Sequence, residues 1–255
     1  MKMIKKSVEY LTVTSTIQLL IVGLSLLVLT LSVTSAELSK ESYLSFGLSK
    51  FNEGDYQKAA ESYTKALALD PNYVEALNNR GNTYNQLGQY GKAMKDLDKA
   101  IILDPSNSLH YINRGYVHYN KQEYQKAIVD YDKALSINHD SSDAHLNRGT
   151  AFDQIGEYSK AIVDFSAAIK INPKDAEAYN NRGFVYAARL RQYENAAKDL
   201  DKAIELNPSL GKAYTNRGVV NQALGKTQGA ISNFKKACNF GIDDACRNLK
   251  MLYEK

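Results

Sequence analysis

Six glycines recur through the 255-residue chain at near-constant spacing: Gly47, Gly81, Gly115, Gly149, Gly183 and Gly218. The steps are 34, 34, 34, 34 and 35 residues. Two sets of alanines keep the same period. One is Ala59, Ala93, Ala127, Ala161, Ala196 and Ala230; the other is Ala66, Ala100, Ala134, Ala168, Ala203 and Ala237. A fixed period of this length means stacked supersecondary units, each too small to bury its apolar face alone. Such arrays bind partners along extended surfaces and seldom carry catalytic sites.

Within one period the residues read as two helices. From Val74, the residues Leu77, Gly81 and Tyr84 are spaced four and three apart and share one helical face. Gly88 interrupts and Tyr90 reopens the pattern. Ala93, Leu97, Ala100 and Leu103 then lie on one face of a second helix. Asp104-Pro105-Ser106 ends it, because proline cannot continue a helix interior. Asn107, Ser141 and Asp175 stand where each following helix needs an N-cap. All four prolines (Pro71, Pro105, Pro173, Pro208) occupy this inter-repeat site, and His139 replaces proline once. Small residues at the glycine and alanine positions let two helices approach closely. Tyr63, Leu97, Tyr131, Phe165, Leu200 and Phe234 fill the remaining space, and Tyr56, Tyr90, Tyr124, Tyr158 and Tyr193 cover the turn between helices.

This pattern resembles the tetratricopeptide repeat (TPR) family over about residues 40 to 240. The resemblance implies an all-α fold: a right-handed α-solenoid of six TPR helix-turn-helix repeats (about 40–73, 74–107, 108–141, 142–175, 176–210 and 211–241) plus a C-terminal capping helix over 242–255. One departure is systematic. The family's large apolar residue before the glycine is arginine in five repeats: Arg80, Arg114, Arg148, Arg182 and Arg217. Four of these pair in the sequence with an aspartate 16 or 17 residues on: Asp96, Asp130, Asp164 and Asp199. The first repeat has Phe46 and Ser62 instead, and the last has Arg217 with Asn233. A partly buried, bidentate arginine–carboxylate contact between the two helices of each repeat is expected. Repeat five carries one extra residue, placed between its helices near Ala188 to Gln192.

Residues 10 to 36 contain no charge and follow Lys2, Lys5 and Lys6. Thr34-Ser35-Ala36 offers small residues for cleavage. Such a segment is a secretory signal peptide or an uncleaved membrane anchor. Both place the repeats outside the cytoplasm: secreted or periplasmic after cleavage, otherwise tethered with the lysines inside. The formal net charge is +4, of which the first 36 residues hold +2, from three lysines and Glu9. The remainder is nearly neutral and has no basic stripe for nucleic acid. The two cysteines, Cys238 and Cys246, resemble the helix-linking pairs of secreted, cysteine-rich relatives of TPR proteins. That resemblance implies a disulfide in an exported protein; in a reducing compartment the two would pack as free thiols.

No phosphate loop, nucleophile elbow or H-E-x-x-H pattern occurs, so no catalytic residues and no cofactor are expected. The histidines His110, His118, His139 and His145 stand at ordinary repeat positions and do not form a metal set. In TPR superhelices the first helix of each repeat lines a concave groove. Two residues before the glycine stand Asn79, Asn113, Asn147, Asn181 and Asn216, a ladder similar to that in the TPR arm of O-linked N-acetylglucosamine transferases. An amide side chain both donates and accepts, so it can bind the backbone of an extended peptide whatever its sequence. Asn82, Ile112, Tyr116 and Phe184 are the neighbouring groove candidates, together with Asn78, Asn85 and Asn180, with Leu109 and Tyr119 adding to an apolar patch near repeat three. The basic clamp of chaperone-binding TPR domains is missing, since Leu109, Asp143, Asn147 and Glu177 take its positions. The expected function is therefore a non-enzymatic scaffold for a protein or peptide ligand, as a monomer or a subunit of a larger complex. The alternative is an accessory subunit of a membrane or envelope complex docking through its convex face.

Overall fold

A computed structural model describes residues 39–254. Residues 1–36, read above as a signal or anchor, lie outside the described residues. The described chain is all-helical. Six antiparallel hairpins follow one another: α1 (Lys40–Asn52) with α2 (Tyr56–Leu69), α3 (Val74–Gln86) with α4 (Tyr90–Leu103), α5 (Ser108–Asn120) with α6 (Tyr124–Ile137), α7 (Ser142–Gln154) with α8 (Tyr158–Ile171), α9 (Ala176–Phe184) with α10 (Tyr193–Leu206), and α11 (Gly211–Ala223) with α12 (Thr227–Asn239). A last helix, α13 (Asp243–Tyr253), closes the array. Each second helix packs on the first helix of the next hairpin, as expected of an α-solenoid. First helices of successive hairpins also approach one another directly: α1 and α3, α3 and α5, α5 and α7, α9 and α11. They therefore form the inner side of the curve.

The hairpin is held where glycine meets the large residue of the second helix. A Cβ at Gly81 would lie 2.7 Å from Leu97 Cγ, and one at Gly149 would lie 2.8 Å from Phe165 Cε1. Only a bare Cα fits there. Both alanine rows are fully buried, as are Tyr63, Leu97, Tyr131, Phe165, Leu200 and Phe234. The turn inside each hairpin requires one residue at positive φ. Gly54, Gly88, Gly156 and Gly225 supply it at +81°, +70°, +82° and +70°, while Gln122 and Arg191 adopt +62° and +55° without that freedom. The N-caps form as read: Asn107 Oδ1 accepts from Leu109 N–H, Ser141 Oγ from Ala144 N–H, and Asp175 Oδ1 from the N–H groups of Glu177 and Ala178.

The extra residue of the fifth hairpin is not inserted between its helices. It is taken up at the end of α9 as a π-helical turn, Val185–Arg189. Widening the last turn keeps both packing faces in register, which a longer loop would not.

All four arginine–aspartate pairs close with two parallel hydrogen bonds. Nε and Nη2 of Arg80 reach Asp96 at 2.6 and 2.8 Å; Arg114 reaches Asp130 at 3.0 and 2.7 Å; Arg148 reaches Asp164 at 2.8 and 2.7 Å; Arg182 reaches Asp199 at 2.8 and 2.8 Å. All four carboxylates are buried. The remaining nitrogen, Nη1, crosses to the second helix of the preceding hairpin, donating to Thr64, Asp98, Asp132 and Ser166 respectively. One planar guanidinium thus ties two hairpins. Arg217 lacks an aspartate in its own hairpin; its Nε and Nη2 turn to Asp201 of the preceding one, at 2.7 and 3.2 Å, and Nη1 donates to Asn221 of its own helix.

Asp130→Ala leaves the half-buried Arg114 guanidinium without its main acceptor and should cost about 2–4 kcal/mol. Asp98→Ala removes a 49 %-exposed partner and should cost less than about 1 kcal/mol. Urea unfolding of the two variants measures the difference; equal losses would mean that the buried contact contributes no more than the exposed one.

Candidate functional site

The five asparagines Asn79, Asn113, Asn147, Asn181 and Asn216 lie half-buried on successive first helices, α3, α5, α7, α9 and α11. The structure also shows what each amide already does. Asn113 Nδ2 donates to Asn78 Oδ1 of the preceding hairpin at 2.9 Å, and Asn216 Nδ2 donates to Asn180 Oδ1 at 3.0 Å. Asn79 and Asn181 instead accept, from Nδ2 of Asn78 at 3.4 Å and of Asn180 at 3.1 Å. Asn147 makes no hydrogen bond among the described residues. The row therefore stabilises the stacking of hairpins and still leaves part of each amide open. Asn79 and Asn181 keep donors, Asn113 and Asn216 keep acceptors, and Asn147 keeps both.

Asn78, Asn85 and Asn180, groove positions on the sequence reading, are instead buried, and Asn78 and Asn180 anchor this row from within. These two stand one residue before the ladder, where the side chain turns inward between hairpins. Ile112 occupies that same inward position in the third hairpin. It is 7 % exposed and packs in the core with Tyr111 and Tyr131, so it does not line the open face. Asn82, Tyr116 and Phe184 are half-buried on first helices, and Leu109 is exposed.

A second set of links runs parallel. Asn120 Nδ2 donates to Asn85 Oδ1 at 3.0 Å. In the fifth hairpin the π turn delivers Arg189 to the corresponding place, where its Nε bonds the buried Asp153 Oδ1 at 3.0 Å. The Arg189 guanidinium also lies 5.4 Å from the Phe184 ring and 5.6 Å from the Tyr158 ring, within cation–π range.

The histidines serve the scaffold. His118 Nδ1 lies 2.7 Å from Glu123, His145 Nδ1 lies 2.9 Å from Asp164, and the exposed His139 sits beside Asp140. His110 is buried, and its Nδ1 shares Asn78 Oδ1 with Asn113, at 3.0 Å. An amide oxygen only accepts, so Nδ1 carries the proton and Nε2 is left a bare, buried nitrogen with no hydrogen-bond partner. Asp104 stands 3.9 Å away. Burial pushes the His110 pKa below its ordinary value, and Asp104 offsets this only in part. Near the C-terminus the Cys238 and Cys246 sulfurs stand at bonding distance, with Cα atoms 4.8 Å apart. The geometry accommodates a disulfide between α12 and α13. No described helix is long and apolar enough to cross a membrane.

Fold and face together define the class, a helical-repeat solenoid with a polar inner row. The TPR repeat model matches residues 47–88, 115–156 and 151–188. Tetratricopeptide repeat models match 74–107 and 176–210. The chain belongs to the tetratricopeptide repeat family, a fold typical of protein–protein interaction scaffolds. Among solved structures, the MamA protein is 31 % identical, with 68 % of this chain and 94 % of that one covered and a TM-score of 0.54. A tetratricopeptide repeat protein from Parabacteroides merdae is 26 % identical over 86 % of each chain, with a TM-score of 0.68. YrrB, described as a TPR protein with an unusual peptide-binding site, is 25 % identical over 72 % of this chain and 94 % of its own, with a TM-score of 0.52. No curated protein matches the chain.

Two outcomes are expected. Asn147→Ala breaks no internal bond and should leave stability unchanged within about 0.5 kcal/mol. Asn113→Ala removes a donor to Asn78 and should cost about 1 kcal/mol; thermal unfolding of both variants checks the contrast. The His110 contribution to stability should be complete above about pH 6.5. It should decline as the pH falls below that value, because the unfolded chain then takes up a proton that the folded chain resists. The stability difference between wild type and His110→Gln, measured in urea at pH 7.5 and 5.5, should shrink at the lower pH. A constant difference would place the titration elsewhere.

Proposed function

We propose that the protein is a non-enzymatic scaffold whose six hairpins act as six repeats and hold an extended protein or peptide segment along the face of the first helices. The observation that carries this reading is the row of amide atoms left wholly without a partner among the described residues. Nδ2 of Asn79 and Asn181, Oδ1 of Asn113 and Asn216, and both at Asn147 offer donors and acceptors to a polypeptide backbone, which presents N–H and C=O groups in turn. The peptide-binding site reported for YrrB supports the same class of ligand. The charge-free segment over residues 10–36 supports placement outside the cytoplasm, either released or membrane-tethered, and the juxtaposed cysteines suit an oxidising compartment.

A second reading has its own observation. Val129 and Val163 occupy the same position on the second helices α6 and α8 and are 62 % and 68 % exposed. They form an apolar step on the outer face, where an accessory subunit of an envelope complex would dock.

The two readings separate in a crosslinked pull-down from the native compartment with the full chain. Partners should be lost from Asn79→Ala/Asn147→Ala and kept by Val129→Asp/Val163→Asp. The reverse pattern would move the interface to the outer face and retire the groove.

A further inference from the structure

The seam between the fifth hairpin, the sixth and the last helix holds a cleft of about 370 Å3. Phe184 and Ile242 give it apolar walls, Asn181 and Asn216 carry the asparagine row into it, and Lys212 and Asp244 are its charges. Three observations distinguish it from the rest of the inner face.

The first is that its far wall is built in. Ile242 belongs to the segment bracketed by Cys238 and Cys246. It seats against Gly211, where a Cβ would fall 2.9 Å from Ile242 Cγ1. A disulfide across so short a loop would hold this wall in place by restricting the unfolded chain.

The second is a matched donor and acceptor. Asn180 is 4 % exposed and fixes both neighbours. It donates to Asn181 Oδ1 and accepts from Asn216 Nδ2. The amide atoms left without a partner among the described residues are Asn181 Nδ2 and Asn216 Oδ1, which suit the C=O and N–H of a passing backbone.

The third is charge. Lys212 occupies the helix position held by Glu75, Leu109, Asp143 and Glu177 in the earlier hairpins. It makes no ion pair among the described residues, whereas Asp244 pairs with Arg247 on its own helix. At this helix position the side chain therefore changes from acidic or apolar to basic, and the cleft offers a cation unpaired among the described residues.

We propose that the cleft is the specificity subsite of the groove. It takes an apolar side chain of an extended polypeptide between Phe184 and Ile242, and an acidic residue beside that side chain pairs with Lys212. This rests on the groove reading above, and the test keeps the two apart. The oxidised full-length protein is panned against a random dodecapeptide library, and the selected peptides are titrated against variants. The expected peptides join an apolar residue to an Asp or Glu. Their affinity falls at least about tenfold on Lys212→Glu or Ile242→Glu, and exchanging the acid for Lys restores binding to Lys212→Glu. Lys212 is exposed, so that variant folds even where Ile242→Glu disturbs the wall. Peptides weakened by Asn79→Ala/Asn147→Ala but indifferent to Lys212→Glu would overturn the subsite and leave the groove standing. Selection of no peptide, or of peptides indifferent to every variant, would overturn both.

Discussion

From the second hairpin on, the arginine before each glycine joins its hairpin to the one before, and the regularity of the stack depends on that contact. A hydrophobic residue at this place would fill space between two helices and leave the third to general packing. Arginine does more, because its five donors lie in one plane with fixed directions. Two of them grip the aspartate of the same hairpin, and a third reaches back across the seam. The angle between hairpins is therefore set by hydrogen-bond geometry as well as by shape. Removing the partner would strand a charge in a half-buried seam, so the device is costly to lose whatever its net contribution.

The ends of the array follow the same logic. The first hairpin has no predecessor among the described residues, and Phe46 stands where the arginine would be, half-exposed, with Lys50 over its ring at 5.4 Å. The sixth hairpin keeps its arginine but has Asn233 in place of the aspartate; Arg217 accordingly commits its fork to Asp201, and Asn233 bonds the backbone of its own helix. After it, α13 covers the open edge, seated through Ala245 on the cluster of Tyr214, Phe234 and Ala237.

Much of this was legible in the sequence because repetition amplifies weak signals. One arginine and one aspartate 16 residues apart predict nothing, but four such pairs on a common period predict an ion pair, and the hydrogen bonds agree. The same holds for the glycine row and for the caps Asn107, Ser141 and Asp175. What was not legible broke the period. Ile112 was read as an open groove residue from its helix face alone, yet its position turns between hairpins, a fact carried by the burial of Asn78 and Asn180 rather than by residue type. The inserted residue of the fifth hairpin was placed in the loop, because a π turn inside a helix leaves the same local composition. The cleft at Ile242 joins residues from three elements far apart in sequence, and no spacing rule marks it.

Those irregularities matter for function because a perfectly regular groove would recognise backbone and nothing else. The asparagine row is sequence-tolerant by chemistry, as every residue of a ligand presents the same amide. It is also partly occupied by its own structure, since Asn113 and Asn216 use their donors on the preceding hairpin. The bonds used for stacking fix amide rotamers in advance, which would lower the ordering cost of a ligand bound as proposed. Selectivity then has to come from places where the repeat is broken. The π turn does this once, bringing Arg189 across Phe184 to Asp153. The cysteine-bracketed segment does it again on the other side of Phe184, where Ile242 and Lys212 meet. Both departures flank one aromatic residue on the inner face, so on the groove function proposed above the discriminating part of the surface would be concentrated around the fifth hairpin, and the regular hairpins before it would supply length and backbone contacts.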